Sequence, residues 1–224
     1  QPAAKQAVRR ASRDAIIEML KRPNMRWVYV FGTGLVMAQN SLFTFMTPFL
    51  VAHFGLPLVT AAAYFGVAQI AAMASRPLFG LISDRVFKGT RKETMVGCAL
   101  LGGAALILIA FAPNQLAPFW LFVMAVVSGM LTQGWSGPYF VLVMEEAGKD
   151  LGTASGLAGT AFKLASVLGP PIFGFLVELT GTYRLALLVT GTGLAGIAWL
   201  FNRFFHEQKR LALVTAGASR PDRS

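Results

Sequence analysis

The stretch WVYVFGTGLVMAQNSLFTFMTPFLVAHFGLPLVTAAAYFGVAQIAAMAS, from Trp27 to Ser75, contains no Asp, Glu, Lys or Arg. A helix crosses the apolar core of a bilayer in about 20 residues, so this stretch holds two spans and a tight turn. Thr94 to Met144 is a second charge-free stretch, and Leu151 to Asn202 supplies a third pair of apolar runs. The runs are continuous and lack a period of two, which excludes a membrane β-barrel and a soluble sandwich. The expected fold is all-α and integral to the membrane: a six-transmembrane-helix bundle with spans near 27–52, 57–84, 93–112, 117–144, 151–178 and 184–204.

Composition supports this reading. Of 224 residues, 55% are hydrophobic and 13% charged, against roughly 25% charged in an ordinary soluble domain. Six spans with short connections leave no room for a soluble catalytic domain, so function is expected within the membrane. The domain reading is a segment over 1–26, a transmembrane domain over 27–205 and a basic tail over 206–224. Gln1 to Arg26 is charged throughout and the apolar run after it is too long for a signal-peptide core, so no cleavable signal is expected.

The formal charge of +10 raises the possibility of nucleic acid, but the cations sit at span edges without aromatic interleaving. Seventeen of the 20 Lys and Arg residues lie before span one, after span six, or between spans two and three and spans four and five; the opposite side carries only Arg184. The asymmetry places both termini in the cytoplasm of what is expected to be a bacterial inner membrane. Before span one, Ser12 can cap a short amphipathic helix with Ala15, Ile16, Met19 and Leu20 on one face, stopped by Pro23, which is expected to lie on the membrane surface.

Cys98, the single cysteine, lies inside an apolar run and reads as a packing residue; no cofactor or metal site is expected. Gly191, Gly193 and Gly196 spell G-x-G-x-x-G without a preceding strand, so they read as close helix contacts, as do Gly152, Gly156 and Gly159. Pro48, the group Gly134, Gly137 and Pro138, and Gly169 with Pro170 and Pro171 mark three spans expected to break or kink around a central site. Gly134-Trp135-Ser136-Gly137 also spells the nucleophile signature of rhomboid intramembrane proteases. A serine nucleophile needs a base, however, and the two histidines, His53 and His206, lie at or beyond span ends. No catalytic residue is assigned.

Two cations remain inside the apolar spans. Arg76 lies ~12 Å along its helix from Asp84, and Lys163 lies ~18 Å from Leu151. At that depth a charge costs about 2.5 to 3.5 kcal/mol on insertion scales, so a partner is required. No Asp or Glu falls near the middle of any span, so the anion is expected from outside the chain, as substrate or as a carboxylate of another subunit. Trp135 and Tyr139, spaced i and i+4, share one face of span four. Gln39 and Asn40 place amides in span one, and Gln69 lies two turns from Arg76. Aromatic walls and two fixed cations suit a small flat anion with two carboxylates. A scaffold that pairs with an acidic partner is the non-transporting alternative.

Arg76-Pro77-Leu78-Phe79-Gly80-Leu81-Ile82-Ser83-Asp84-Arg85, followed by Lys88, Arg91 and Lys92, resembles the G-x-x-x-D-R and basic-loop motif of the major facilitator superfamily, in the R-P form of its second half. The apolar region is similar to the last six helices of that twelve-helix fold. More narrowly, Met19 to Pro23 (M-L-K-R-P), Arg76, Trp135 to Tyr139 (W-x-G-x-Y) and Lys163 resemble the oxalate/formate antiporter family. The resemblance implies secondary transport of small carboxylates, with Arg76 and Lys163 on the anion, Trp135 and Tyr139 enclosing it, and Gly80, Asp84, Arg85, Lys88, Arg91 and Lys92 forming a gating motif. It also implies an N-terminal six-helix half as partner, since the superfamily holds its substrate between two halves. Proton-coupled monocarboxylate symporters share the R-P element; the second cation, Lys163, distinguishes this chain from them. Gly89 is displaced from the usual loop position, which Phe87 takes, and Thr160 stands one turn before Lys163 where the antiporter has an aromatic.

Overall fold

Long apolar runs with Pro near their starts and Gly past their ends become long helices, because Pro fits the first helical turn and Gly accepts the left-handed conformation that closes the last. A computed structural model describes residues 16–87, 90–148 and 150–206. Among these, six segments are long and apolar enough to cross a membrane. They are α1 (Pro23–Phe54), α2 (Leu58–Arg85), α3 (Arg91–Ala110), α4 (Pro118–Gln133) with α5 (Ser136–Ala147), α6 (Leu151–Thr180) and α7 (Tyr183–Phe204). Pro23 and Pro118 open α1 and α4, while Gly55 (φ 66°) and Gly181 (φ 65°) close α1 and α6. Pro23 therefore starts a helix as well as ending the short helical turn over 16–21.

The six spans pair mainly as α1 with α6, α2 with α4 and α3 with α7. Lipid tails are as apolar as the helices, so pairing in a membrane depends on close backbone approach more than on escape from water. Each pair has a glycine at its contact. A Cβ on Gly169 of α6 would stand 2.7 Å from the Met37 carbonyl of α1, and one on Gly129 of α4 would overlap the Ala68 carbonyl of α2. Gly103 and Gly191 face one another across α3 and α7, each 2.6 to 2.7 Å from the other's carbonyl by the same measure.

The expected close contact at Gly191 is thus present. Gly193, Gly196, Gly152, Gly156 and Gly159 are corrected: a Cβ at any of them meets nothing within 4 Å. They leave open space beside their helices. A second correction concerns breaks, though not kinks. α1 runs through Pro48 and α6 through Pro170 and Pro171 without interruption, since a proline removes one backbone bond and the surrounding turns can hold the helix. Among the described spans only span four is interrupted, at Gly134 and Trp135.

The end of the bundle rich in cations is laced by polar contacts. Arg22 pairs with Asp150 at 3.0 Å and with Glu18 at 3.4 Å, and the Asn24 amide donates to the His206 carbonyl at 2.9 Å. Met19 is buried whereas Leu20 is exposed, so Met19 anchors the 16–21 turn to the bundle and only part of the expected apolar face is used. Ser12, Arg13 and Ala15, the loop residues Lys88, Gly89 and Lys149, and the tail over 207–224 lie outside the described residues. The Lys92 ammonium donates to the carbonyls of Asn202 (2.8 Å) and Phe205 (2.9 Å). A cation on the last carbonyls of a helix satisfies groups that lack intrahelical partners and complements the negative end of its dipole. In this conformation Lys92 caps α7.

Two outcomes follow for thermal unfolding in detergent. Gly191→Ala should destabilise by roughly 1 to 3 kcal/mol through overpacking, whereas Gly193→Ala, two residues away in open space, should be neutral or stabilising. Lys92→Met should lower stability by about 1 kcal/mol through loss of the cap, and Lys92→Arg should retain most of it.

Candidate functional site

α6 and α2 are the least covered spans: 17% and 22% of their most apolar windows are buried, against 56% for α3. Much of that open surface is apolar, including Ile70, Met73, Leu164 and Val167. Arg76 is exposed on α2 and Lys163 is exposed on α6. A bare cation at mid-span costs about 2.5 to 3.5 kcal/mol in hydrocarbon, so both positions favour a polar neighbour over lipid. Among the described residues, neither cation lies within 4.0 Å of a carboxylate.

α5 lies between these helices and touches both. Its start is built from the interruption in span four. Pro138 has no N–H to offer the carbonyl one turn before it, so the helix is weakened there. Across the gap the Thr132 carbonyl accepts from the Trp135 indole N–H at 2.7 Å, and the Gln133 carbonyl accepts from the Ser136 hydroxyl at 2.9 Å. Side chains thereby satisfy carbonyls at the broken helix end. Ser136 is engaged in this local bond, while His53 bonds the Ala112 carbonyl at one end of the bundle and His206 lies at the other. The geometry gives Ser136 no base.

The same interruption seats α2. A Cβ on Gly134 would overlap the Phe79 ring, and one on Gly137 would stand 2.9 Å from the Arg76 carbonyl. The Arg76 guanidinium donates to the side-chain oxygen of Gln133 at 2.5 Å. Gln133 is 5% exposed, so a buried neutral amide holds the exposed cation. Sequence reasoning passed over Gln133. Its signal was an amide in an apolar span directly before a Gly-rich break.

On the other side, Phe162, the neighbour of Lys163, inserts between the aromatics of α5. Its ring centroid lies 5.1 Å from Tyr139, 5.8 Å from Trp135 and 6.1 Å from Phe140. Trp135 and Tyr139 pack edge to face at 5.4 Å and are 1% and 0% exposed. They share a helix face as expected, but that face is turned into this bundle, against α6 and Gly32 of α1. In this conformation they stand behind the open surface and do not line it. The Tyr139 hydroxyl is buried without a hydrogen-bond partner among the described residues.

Gln39 and Gln69 are half-buried on α1 and α2, and Asn40 bonds the Ser166 hydroxyl of α6 at 3.1 Å. Thr160 is exposed one turn before Lys163 and donates to the Gly156 carbonyl, so the α6 surface on that side of the cation carries small side chains. At the basic end, Arg91 pairs with Asp84, donates to the Ser83 hydroxyl at 3.1 Å and approaches Glu145 of α5 at 4.0 Å. Gly80 and Arg85 lie on α2 just before this cluster, with open space beside Gly80.

Comparison with known proteins agrees with this architecture. The chain is 29% identical to the probable sulfoacetate transporter of Cupriavidus necator over 171 residues, covering 70% of this chain and 38% of that protein. It is also 29% identical to a multi-drug resistance efflux pump of Streptococcus pneumoniae, over 75% of this chain and 41% of the pump. The chain therefore spans about two fifths of the length of these curated relatives. Among solved structures, the Escherichia coli fucose:proton symporter superposes with a TM-score of 0.73 at 16% identity, over 87% of this chain and 45% of that one, a likeness of fold. The Major Facilitator Superfamily model matches residues 1–170, and with six membrane-length helices in the matching fold the chain belongs to that superfamily of membrane transporters.

Proposed function

We propose that this chain forms one half of a secondary transporter for small carboxylate anions that carry a second acidic group, held near mid-membrane between this bundle and a second six-helix half. The observation that carries the reading is the pair Arg76 and Lys163, two mid-span cations on open surface with no carboxylate beside them among the described residues. A dianion supplies both missing charges, with charge-assisted hydrogen bonds to the guanidinium and ammonium. Sulfoacetate, named in the Cupriavidus relative, carries one carboxylate and one sulfonate and so has this chemistry. Oxalate has it in smaller form, and the small residues in the turns before Lys163, at Thr160, Gly159 and Gly156, leave room for an anion longer than oxalate. This half has no mid-span carboxylate able to carry a proton, so its own residues suit exchange of one anion for another.

Trp135 and Tyr139 support the site from behind. An unmatched buried hydroxyl costs about 1 to 3 kcal/mol, which the Tyr139 hydroxyl recovers if α5 turns at its Gly-flanked start and presents it to the anion. Asp84, Arg91 and Glu145, with Gly80, Arg85 and the Lys92 cap, form the gate at the basic end, which faces the cytoplasm by the distribution of Lys and Arg. In alternating access their contacts tie α2, α3 and α5 together in one state and loosen in the other.

The test is exchange of labelled sulfoacetate, oxalate, formate and lactate in proteoliposomes holding the complete transporter. Arg76→Ala and Lys163→Ala should each reduce dianion exchange roughly tenfold to a hundredfold, the worth of a lost hydrogen bond to a charged group. Lys163→Ala should affect lactate and formate less. Wild-type exchange of every anion by both variants would refute the assignment, and selective loss of lactate transport would favour a monocarboxylate symporter.

A further inference from the structure

Resting on the reading of Arg76 as an anion ligand, we infer that Gln133 is its positioning residue. Three observations converge on this pair. The Gln133 amide oxygen accepts from the Arg76 guanidinium at 2.5 Å. Gln133 is 5% exposed, and its backbone carbonyl is held by the Ser136 hydroxyl at 2.9 Å, so the acceptor is mounted on the fixed edge of the interruption in span four. The Arg76 carbonyl meanwhile sits 2.9 Å from where a Gly137 Cβ would stand. α4 holds the arginine by its side chain while α5 sets its backbone position.

The chemistry explains why an amide serves here. Arginine has five N–H donors in a planar fork. A neutral acceptor takes one of them, limits the rotamers of a long side chain, and leaves the positive charge and the other donors for a substrate anion. A carboxylate in the same place would fix the guanidinium equally well and neutralise it, removing the attraction for the anion. An apolar side chain would leave the charge but release the fork. Gln133 thus separates two properties of the site: where the cation points and how strongly it attracts.

That separation gives the test. In the complete transporter, reconstituted in proteoliposomes, initial rates of labelled sulfoacetate and oxalate exchange are measured against substrate concentration for wild type, Arg76→Ala, Gln133→Leu, Gln133→Asn and Gln133→Glu. Gln133→Leu should raise KM roughly tenfold with little change in maximal rate, because a freed guanidinium binds less well. Gln133→Asn, which keeps the amide on a shorter stem, should recover part of the loss. Gln133→Glu keeps size and hydrogen bond and should raise KM at least as much as Gln133→Leu, through charge neutralisation. It decides the matter even if leucine prevents folding. Wild-type KM in Gln133→Glu, or equal losses of maximal rate at unchanged KM in all three variants, would overturn the role of Gln133. If Arg76→Ala itself exchanges normally, the reading of Arg76 as a ligand fails instead, so the two failures are distinguishable.

Discussion

The contact between Gly137 of α5 and the backbone carbonyl of Arg76 fixes how α2 lies on span four. Any side chain at residue 137 would part the two helices at the level of the cation. Around this contact the other features fall into place. Gly134 admits the Phe79 ring, Gln133 takes the guanidinium, and the interruption that brings these groups together is closed by Trp135 and Ser136. Backbone polar groups freed in a membrane must find partners nearby, and here the motif that breaks the helix also carries the donors that repair it.

From this junction the two open helices are placed. α2 is held by the junction, and α6 is tied to it by Phe162 among Trp135, Tyr139 and Phe140. The Arg76 and Lys163 helices therefore both rest on the start of α5, a 12-residue helix whose first turn contains Gly137 and Pro138. A change in the tilt of α5 alters the packing beneath both cations together. This is a physical route by which site geometry and bundle conformation can be linked, as the proposed alternating access requires.

Much of this was legible in the sequence, for reasons that are local and additive. Span number follows from apolar length, and the break in span four follows from Gly134, Gly137 and Pro138 acting within one turn. Other signals were incomplete. Pro48, Pro170 and Pro171 leave their helices whole, because proline removes a bond without dictating what its neighbours do. Gly152, Gly156 and Gly159 permit close approach, but a missing side chain does not name a partner, and none lies there in this bundle. Periodicity put Trp135 and Tyr139 on one face without saying which way that face turns. Lys92 read as a loop cation because the end of α7, which it caps, lies 110 residues away in sequence. Gln133 carries only a faint signal, an amide in an apolar span before a Gly-rich break, because its role depends on the fold bringing a cation to it.

In the proposed transporter Arg76 and Lys163 share one bound anion between them. The most direct measurement is an experimental structure of the complete transporter with sulfoacetate bound. One acidic group of the ligand should lie within about 2.7 to 3.2 Å of the Arg76 guanidinium and the other at the Lys163 ammonium, with the Gln133 amide still on Arg76. A protein carboxylate occupying either cation, with the ligand bound elsewhere, would contradict it.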